Sequence, residues 1–233
     1  VNLGQRYKSG SRSVNSIFRE NLPVSFQLGL AAMTVSMAIG IPLGTIAALK
    51  RNTPIDYASM GIAIMGVSVP VIVTAPVLQY LFGVQLRLLP VSGWGKLEHM
   101  ILPAFALGFV SSALLARLTR ASLLQVLGED YIRTARAKGL AERRVVSLHA
   151  LKNSLIPVVT VLGPLFAALV TGTFVVEVIF GIPGMGRYFV TSITGRDYPV
   201  IMGTILLYAF FLVVANMLVD IIYVWLDPRI RYD

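Results

Sequence analysis

Five long stretches of this chain, at about residues 24–49, 58–83, 100–119, 155–180 and 200–226, are largely apolar, and the first two hold no charged side chain at all. A helix crossing a hydrocarbon layer about 30 Å thick needs about 20 such residues, and each stretch is long enough. Inside a bilayer every backbone N–H and C=O must find a partner within the chain, which leaves helices as the natural state of such segments. Composition agrees: 56% of the 233 residues are hydrophobic, 13% are charged and the mean hydropathy is +0.76, a balance unlike that of a soluble domain. The expected fold is all-α, a polytopic transmembrane helix bundle forming a single domain over residues 1–233. Gly40, Pro42 and Gly44 in the first stretch, and Pro70 and Pro76 in the second, are expected to kink their helices without breaking them, because neighbouring helices can satisfy freed backbone groups.

The charges orient the spans. A formal net charge of +9 and a pI near 10.1 would suggest nucleic acid in a soluble protein, but in a membrane protein basic residues gather on the cytoplasmic side. Alternation puts Lys50, Arg51, the whole 117–152 segment and the C-terminal tail on one side, with twelve Lys and Arg residues. It puts residues 1–23, 84–99 and 181–199 on the other, with eight. The first side is therefore expected to be cytoplasmic. Four of the eight opposing charges, Arg6, Lys8, Arg12 and Arg19, lie near the N-terminus, where a basic segment is poorly exported. An additional upstream span is accordingly expected, giving six in all with both ends inside. Residues 14–20 read either as a short interfacial helix with Val14, Ile17 and Phe18 toward lipid or as a solvated approach to the first span.

Between about residues 127 and 153 lies the longest polar segment, rich in Ala, Arg, Leu, Glu and Lys and free of proline. That composition is helical. Asp130 is placed to cap a helix starting at Tyr131, Gly139 to end it, and a second helix is expected over about 141–151. Ile132, Ala135 and Gly139 fall at i, i+3 and i+7, a stripe of mostly small residues beside a basic stripe of Arg133, Arg136 and Arg143. Such a ridge suits a groove in a partner protein; the competing reading is contact between the arginines and anionic lipid headgroups.

The run Tyr131-Ile132-Arg133-Thr134-Ala135-Arg136-Ala137-Lys138-Gly139-Leu140, followed by His149-Ala150-Leu151-Lys152-Asn153-Ser154-Leu155-Ile156-Pro157, resembles the loop that permease subunits of binding-protein-dependent ABC importers present to their ATPase. Arg133 and Thr134 replace the Glu and Ala of the general consensus, and Lys152 replaces a Pro, while Ala135 and Gly139 match it. The variant is similar to the dipeptide/oligopeptide branch, as are Glu20-Asn21-Leu22-Pro23, Glu177 to Gly186, Arg196 to Gly203 and Leu226-Asp227-Pro228-Arg229-Ile230. The resemblance implies a type I importer permease in a bacterial or archaeal cytoplasmic membrane, forming half of a translocation path for peptides. Its implied partners are a second permease subunit, two ATPase subunits and an extracytoplasmic substrate-binding protein. ATP and Mg would be bound by the ATPases, with no cofactor in this chain. The implied ATPase-coupling residues are Ile132, Arg133, Ala135, Arg136, Lys138, Gly139, Leu140 and Arg143. Similar permeases also carry nickel, glutathione or oligosaccharides.

Other chemistry reads weakly. Gly181, Gly184 and Gly186 lack the following Lys-Ser/Thr of a phosphate loop and are read as a tight turn. Glu177 and Asp220 are the acids closest to membrane depth; in an ion-gradient-driven secondary transporter they would carry the coupling ion, and otherwise they are structural. His99 and His149 fall on opposite sides and cannot share a metal. Gly61, Ala63, Gly66 and Ser68 permit close helix packing. Ser68, Pro70, Gly163 and Pro164 are expected to line the path, since irregular backbone at depth is tolerated where it faces a cavity.

Overall fold

A computed structural model describes residues 14–171 and 174–226, and the described residues are overwhelmingly helical. Arg6, Lys8, Arg12, Arg229, Arg231 and the stretch from Asp227 to Ile230 lie outside them. The main helices are α1 (Val14–Leu49), α2 (Pro54–Ser68), α3 (Val71–Leu78, continued by wider π-type turns over Gln79–Gln85), α4 (Glu98–Leu127), α8 (Ile156–Thr171), α9 (Phe174–Ile179) and α11 (Tyr198–Leu226). Shorter helices are α5 (Asp130–Ala137), α6 (Glu142–Arg144), α7 (Leu151–Ser154) and α10 (Gly186–Gly195), and a π-type segment over Val145–Ala150 joins α6 to α7. Four helical stretches are long and apolar enough to cross a membrane, at Val14–Leu49, Glu98–Leu127, Ile156–Ile179 and Tyr198–Ile222; α2 with α3 makes a fifth if counted as one span.

Two expectations need correction. The second stretch is broken, not kinked: α2 ends at Ser68 and α3 begins at Val71, with Pro70 extended at φ −56° and ψ 141°. Proline disfavours the helical conformation in the residue before it, and Val69 is where the helix stops. Pro42 and Pro76, by contrast, sit inside continuous helices. Residues 14–20 are neither a separate interfacial helix nor a solvated approach. They open α1, and Val14, Ile17 and Phe18 are buried against Met185 and Val200.

Contacts within the chain group into two compact units. Among the described residues, one comprises those up to Val35, Val69–Gly108 and Leu165–Val214; the other comprises Ser36–Ser68, Phe109–Pro164 and those from Ala215. In the first unit, Leu28, Ala75, Leu102, Ala104, Val176 and Phe180 form the main core. The Gln79 amide braces it, donating to the carbonyl oxygens of Val91 at 2.8 Å and Ile179 at 2.9 Å.

In the second unit, close helix approach is written in small residues. Gly40 and Gly44, one turn apart on α1, lie directly against the backbone of α4, where an added Cβ would sit 2.6 Å from the Ser112 carbonyl oxygen and 2.4 Å from that of Ala116. Ala63 of α2 packs with Ala113 and Ala116 of the same α4 helix. Lipid tails are as apolar as leucine, so helices in a membrane gain from such tight backbone approach more than from hydrophobic burial. The expected packing stripe on α2 is real at Ala63 and Gly66, both buried, whereas an added Cβ at Gly61 would meet nothing within 4 Å. Half of the most apolar window of α4 is buried in the chain, against 11% for α11.

Candidate coupling loop and buried carboxylates

The polar segment folds into a helical hairpin. Glu129 occupies the N-cap position of α5, one residue earlier than expected, and Asp130 is in the first turn where its charge favours the helix dipole. α5 runs to Ala137, and Gly139 reverses the chain at φ +76°, a left-handed conformation that costs a residue with a Cβ about 1–2 kcal/mol. The second half is helical as expected, but in pieces: α6, the π-type segment Val145–Ala150 and α7.

The stripe of Ile132 and Ala135 does not face outward. Ile132 is fully buried with Leu123, Val145, Ala150 and Ala48, and Ala135 packs partly buried on the same cluster. Two short helices have no apolar interior of their own, so the least polar face of α5 is the one that seats them on α1 and α4. What remains exposed is Arg133, Arg136, Lys138, Gly139, Leu140 and Arg143. Leu148, which sequence reasoning passed over, is 65% exposed; its spacing of three from the buried Val145 gave no signal of that exposure.

Arg136 has a local partner. Its guanidinium donates from Nε to Glu142 Oε2 at 3.0 Å and from an Nη to Glu142 Oε1 at 2.7 Å, a two-pronged bond that closes the hairpin across Gly139. The bond holds the Glu142 carboxyl below its ordinary value of 4.5 and raises Arg136. Both side chains are about half exposed, so solvent screens the pair. At the hairpin's far side Asn153 Nδ2 donates to the Tyr131 hydroxyl at 2.8 Å, and that hydroxyl reaches the His149 carbonyl oxygen at 3.4 Å. Arg133 lies 3.5 Å from Asp130, one turn back on α5.

Among the described residues, three acidic side chains are buried elsewhere, Asp56, Glu177 and Asp197. Asp56, in the first turn of α2, is 2% exposed and accepts two hydrogen bonds from Arg120 of α4, from Nε and from an Nη, both at 2.7 Å. The Asn52 backbone N–H adds a third at 3.0 Å. The two partners are 64 positions apart, a pairing that spacing does not reveal. Glu177, in α9, is 1% exposed. Its Oε1 accepts from Ser25 Oγ at 2.7 Å, and its Oε2 from the Arg187 backbone N–H at 3.4 Å. Ser25 Oγ in turn accepts from the Met185 N–H at 2.8 Å. Gly181 adopts φ +63° and begins the turn expected there. Asp220 is exposed on α11.

Of the residues expected along a path, Ser68 and Pro70 stand exposed at the α2–α3 break, with Ser68 Oγ bonded back to the Ile64 carbonyl at 2.9 Å. Pro164 is exposed on α8. Gly163 faces α11 instead, where an added Cβ would meet Asn216 Oδ1 at 2.7 Å, so it serves helix packing.

The arrangement matches known proteins along almost its whole length. Residues 40–232 match the model of the family described as "Binding-protein-dependent transport system inner membrane component". The dipeptide transport system permease protein DppB of Bacillus subtilis (strain 168) is 49% identical over 229 residues, covering 98% of this chain and 74% of the relative. The oligopeptide transport system permease protein OppB of Escherichia coli (strain K12) is 43% identical over 232 residues, covering 99% and 76%. Among solved structures, a MetNI methionine ABC transporter in an inward-facing conformation aligns with a TM-score of 0.75 at 16% identity, covering 91% of this chain and 97% of the other. A crystal structure of an amino acid ABC transporter aligns with a TM-score of 0.66 at 18% identity, covering 89% and 93%. At such identities the structures speak for the fold, and that fold is the type I ABC importer permease. A secondary transporter is set aside, and the chain belongs to the binding-protein-dependent transport system inner membrane components, as a membrane-spanning permease subunit.

Proposed function

We propose that this permease carries peptides, as half of a translocation path completed by a second permease subunit, and that the 131–151 hairpin couples it to separate ATPase subunits. The single observation that carries the cargo is identity of 43–49% over nearly the whole chain to relatives named for dipeptide and oligopeptide transport. An extracytoplasmic binding protein delivers the cargo, and ATP with Mg is bound by the ATPases. The hairpin is supported by its own build: Ile132 and Ala135 fasten it to α1 and α4, while Arg133, Lys138, Gly139, Leu140 and Arg143 stay exposed. Arg136 shapes the hairpin through Glu142. ATP binding draws the ATPases together, and their preference for one hairpin position shifts the membrane helices; only a difference in affinity between the two positions can do so. Ser68, Pro70 and Pro164 remain the candidates for the path.

Reconstituting the complete importer in proteoliposomes tests both parts. Labelled di- and oligopeptides are expected to accumulate with ATP inside the ATPase-accessible compartment, and nickel, glutathione or oligosaccharide uptake in their place would overturn the peptide cargo. Gly139→Trp is expected to leave membrane insertion intact while ATP hydrolysis no longer drives uptake. Unchanged transport in that variant would overturn the docking role.

A further inference from the structure

We propose that Asp56 and Arg120 form the positioning link that makes α2 follow the 130–154 hairpin; the inference rests on the coupling role proposed for that hairpin. Three observations within one compact unit carry it. First, Leu123 of α4 belongs to the core that seats the hairpin, beside Ile132, Val145 and Ala150. Second, Arg120 stands one turn before Leu123 on the same helix face, so a displacement of the hairpin that moves Leu123 moves Arg120 with it. Third, Arg120 grips Asp56 through two bonds of 2.7 Å, and Asp56 lies in the first turn of α2.

The kind of contact matters. α2 also meets α4 through Ala63, Ala113 and Ala116, small apolar side chains that bring the helices close without a directional bond. A two-pronged guanidinium–carboxylate bond fixes distance and angle together. Asp56 is 2% exposed, so releasing the fork would leave a buried charge without its counter-ion. α2 therefore travels with α4, and α2 ends at Ser68, the break where backbone was expected to line the path. Asn52, in a left-handed conformation at φ +59°, donates its N–H to the same carboxylate and ties the end of the α1–α2 turn into the link.

The test uses the whole importer in proteoliposomes, with ATP hydrolysed per peptide imported as the readout, in complexes purified as fully assembled. Asp56→Asn and Arg120→Met are expected to raise that ratio about tenfold, within the usual range of coupling between sites, and the exchange D56R/R120D to bring it back toward the original. A merely structural role would lower the yield or thermal stability of the complex and leave the ratio in the assembled fraction unchanged, which overturns the proposal. If the exchange does not assemble, Arg120→Lys decides: it keeps the charge but not the fork, and an intermediate ratio supports the link whereas an unaltered one overturns it. Gly139→Trp run alongside separates the two readings. An uncoupled Gly139→Trp with a coupled Asp56→Asn removes the link alone, and a coupled Gly139→Trp removes the hairpin reading beneath it.

Discussion

Two glycine turns in this protein solve opposite problems. At residues 180–187 the chain closes on itself: Phe180 is buried, its carbonyl accepts from the Gly93 N–H at 2.9 Å, and the Glu177 carboxylate fills the space over Gly184 so fully that a Cβ there would sit 2.1 Å from Oε1. At residues 138–141 the chain leaves space open. An added Cβ at Gly139 would meet nothing among the described residues within 4 Å, and glycine is needed there for its φ of +76° alone. The first turn is complete within one chain and is a structural fastening. The second has a braced back and an exposed front, the arrangement on which the proposed docking role rests.

That contrast can be broken by experiment. The largest effect is expected at the closed turn. Gly184→Ala must push the Glu177 carboxyl off Ser25 and the Arg187 amide, and the steric overlap with the loss of two hydrogen bonds to a buried group is expected to cost about 3–5 kcal/mol. Loss of folded permease in a detergent thermal-unfolding assay checks it, and a melting temperature matching the parent would show that the turn has room to yield. Next comes the back of the hairpin. Ile132→Ala empties a fully buried position and is expected to cost about 2–5 kcal/mol locally, read as faster amide exchange across residues 130–154 with the rest of the chain protected as before. Exchange that rises uniformly would mean the hairpin is not a separate seat.

The front of the hairpin should be milder. Gly139→Ala is expected to cost about 1–2 kcal/mol from backbone strain and no steric clash, and Gly139→Asn less, because asparagine tolerates the left-handed region. Equal stability of all three would show that the hairpin relaxes out of that conformation. Smallest is the acid response of Arg136–Glu142. The Glu142 carboxyl lies below its ordinary 4.5 in the folded chain, so the pair's contribution is fully present above that value. It is lost as pH falls through the lowered value. Glu142→Gln should remove this acid dependence from hairpin amide exchange, and a parent profile already flat through that range would remove the pair from the account.

Much of the fold was legible because the membrane makes unusually simple demands. Uncharged stretches of about 20 residues have few alternatives to helix there, and α1, α4, α8 with α9, and α11 fall on the expected spans. Gly139 was equally legible, since a helix needs an ending and glycine supplies it cheaply. The direction in which α5 faces was not. Ile132, Ala135 and Gly139 share a stripe by spacing, but spacing does not say whether a stripe meets a partner or the chain's own helices; Leu123 and Val145 decided that. The break at Pro70 was misjudged for a related reason. Pro42, Pro70 and Pro76 look alike in sequence, and only at Pro70 does the surrounding structure accept an extended residue.

An apolar helix bundle with one polar hairpin was legible in the order of amino acids, because hydropathy, helix propensity and chain reversal act over a few neighbouring residues; the permease reading came from the resemblance. Only the tertiary structure decided which charges were answered. Asp56 found Arg120 and Glu177 found Ser25, across 64 and 152 positions. A buried charge is satisfied by whatever donor the packed helices bring within about 3 Å, and that depends on packing, not on order along the chain.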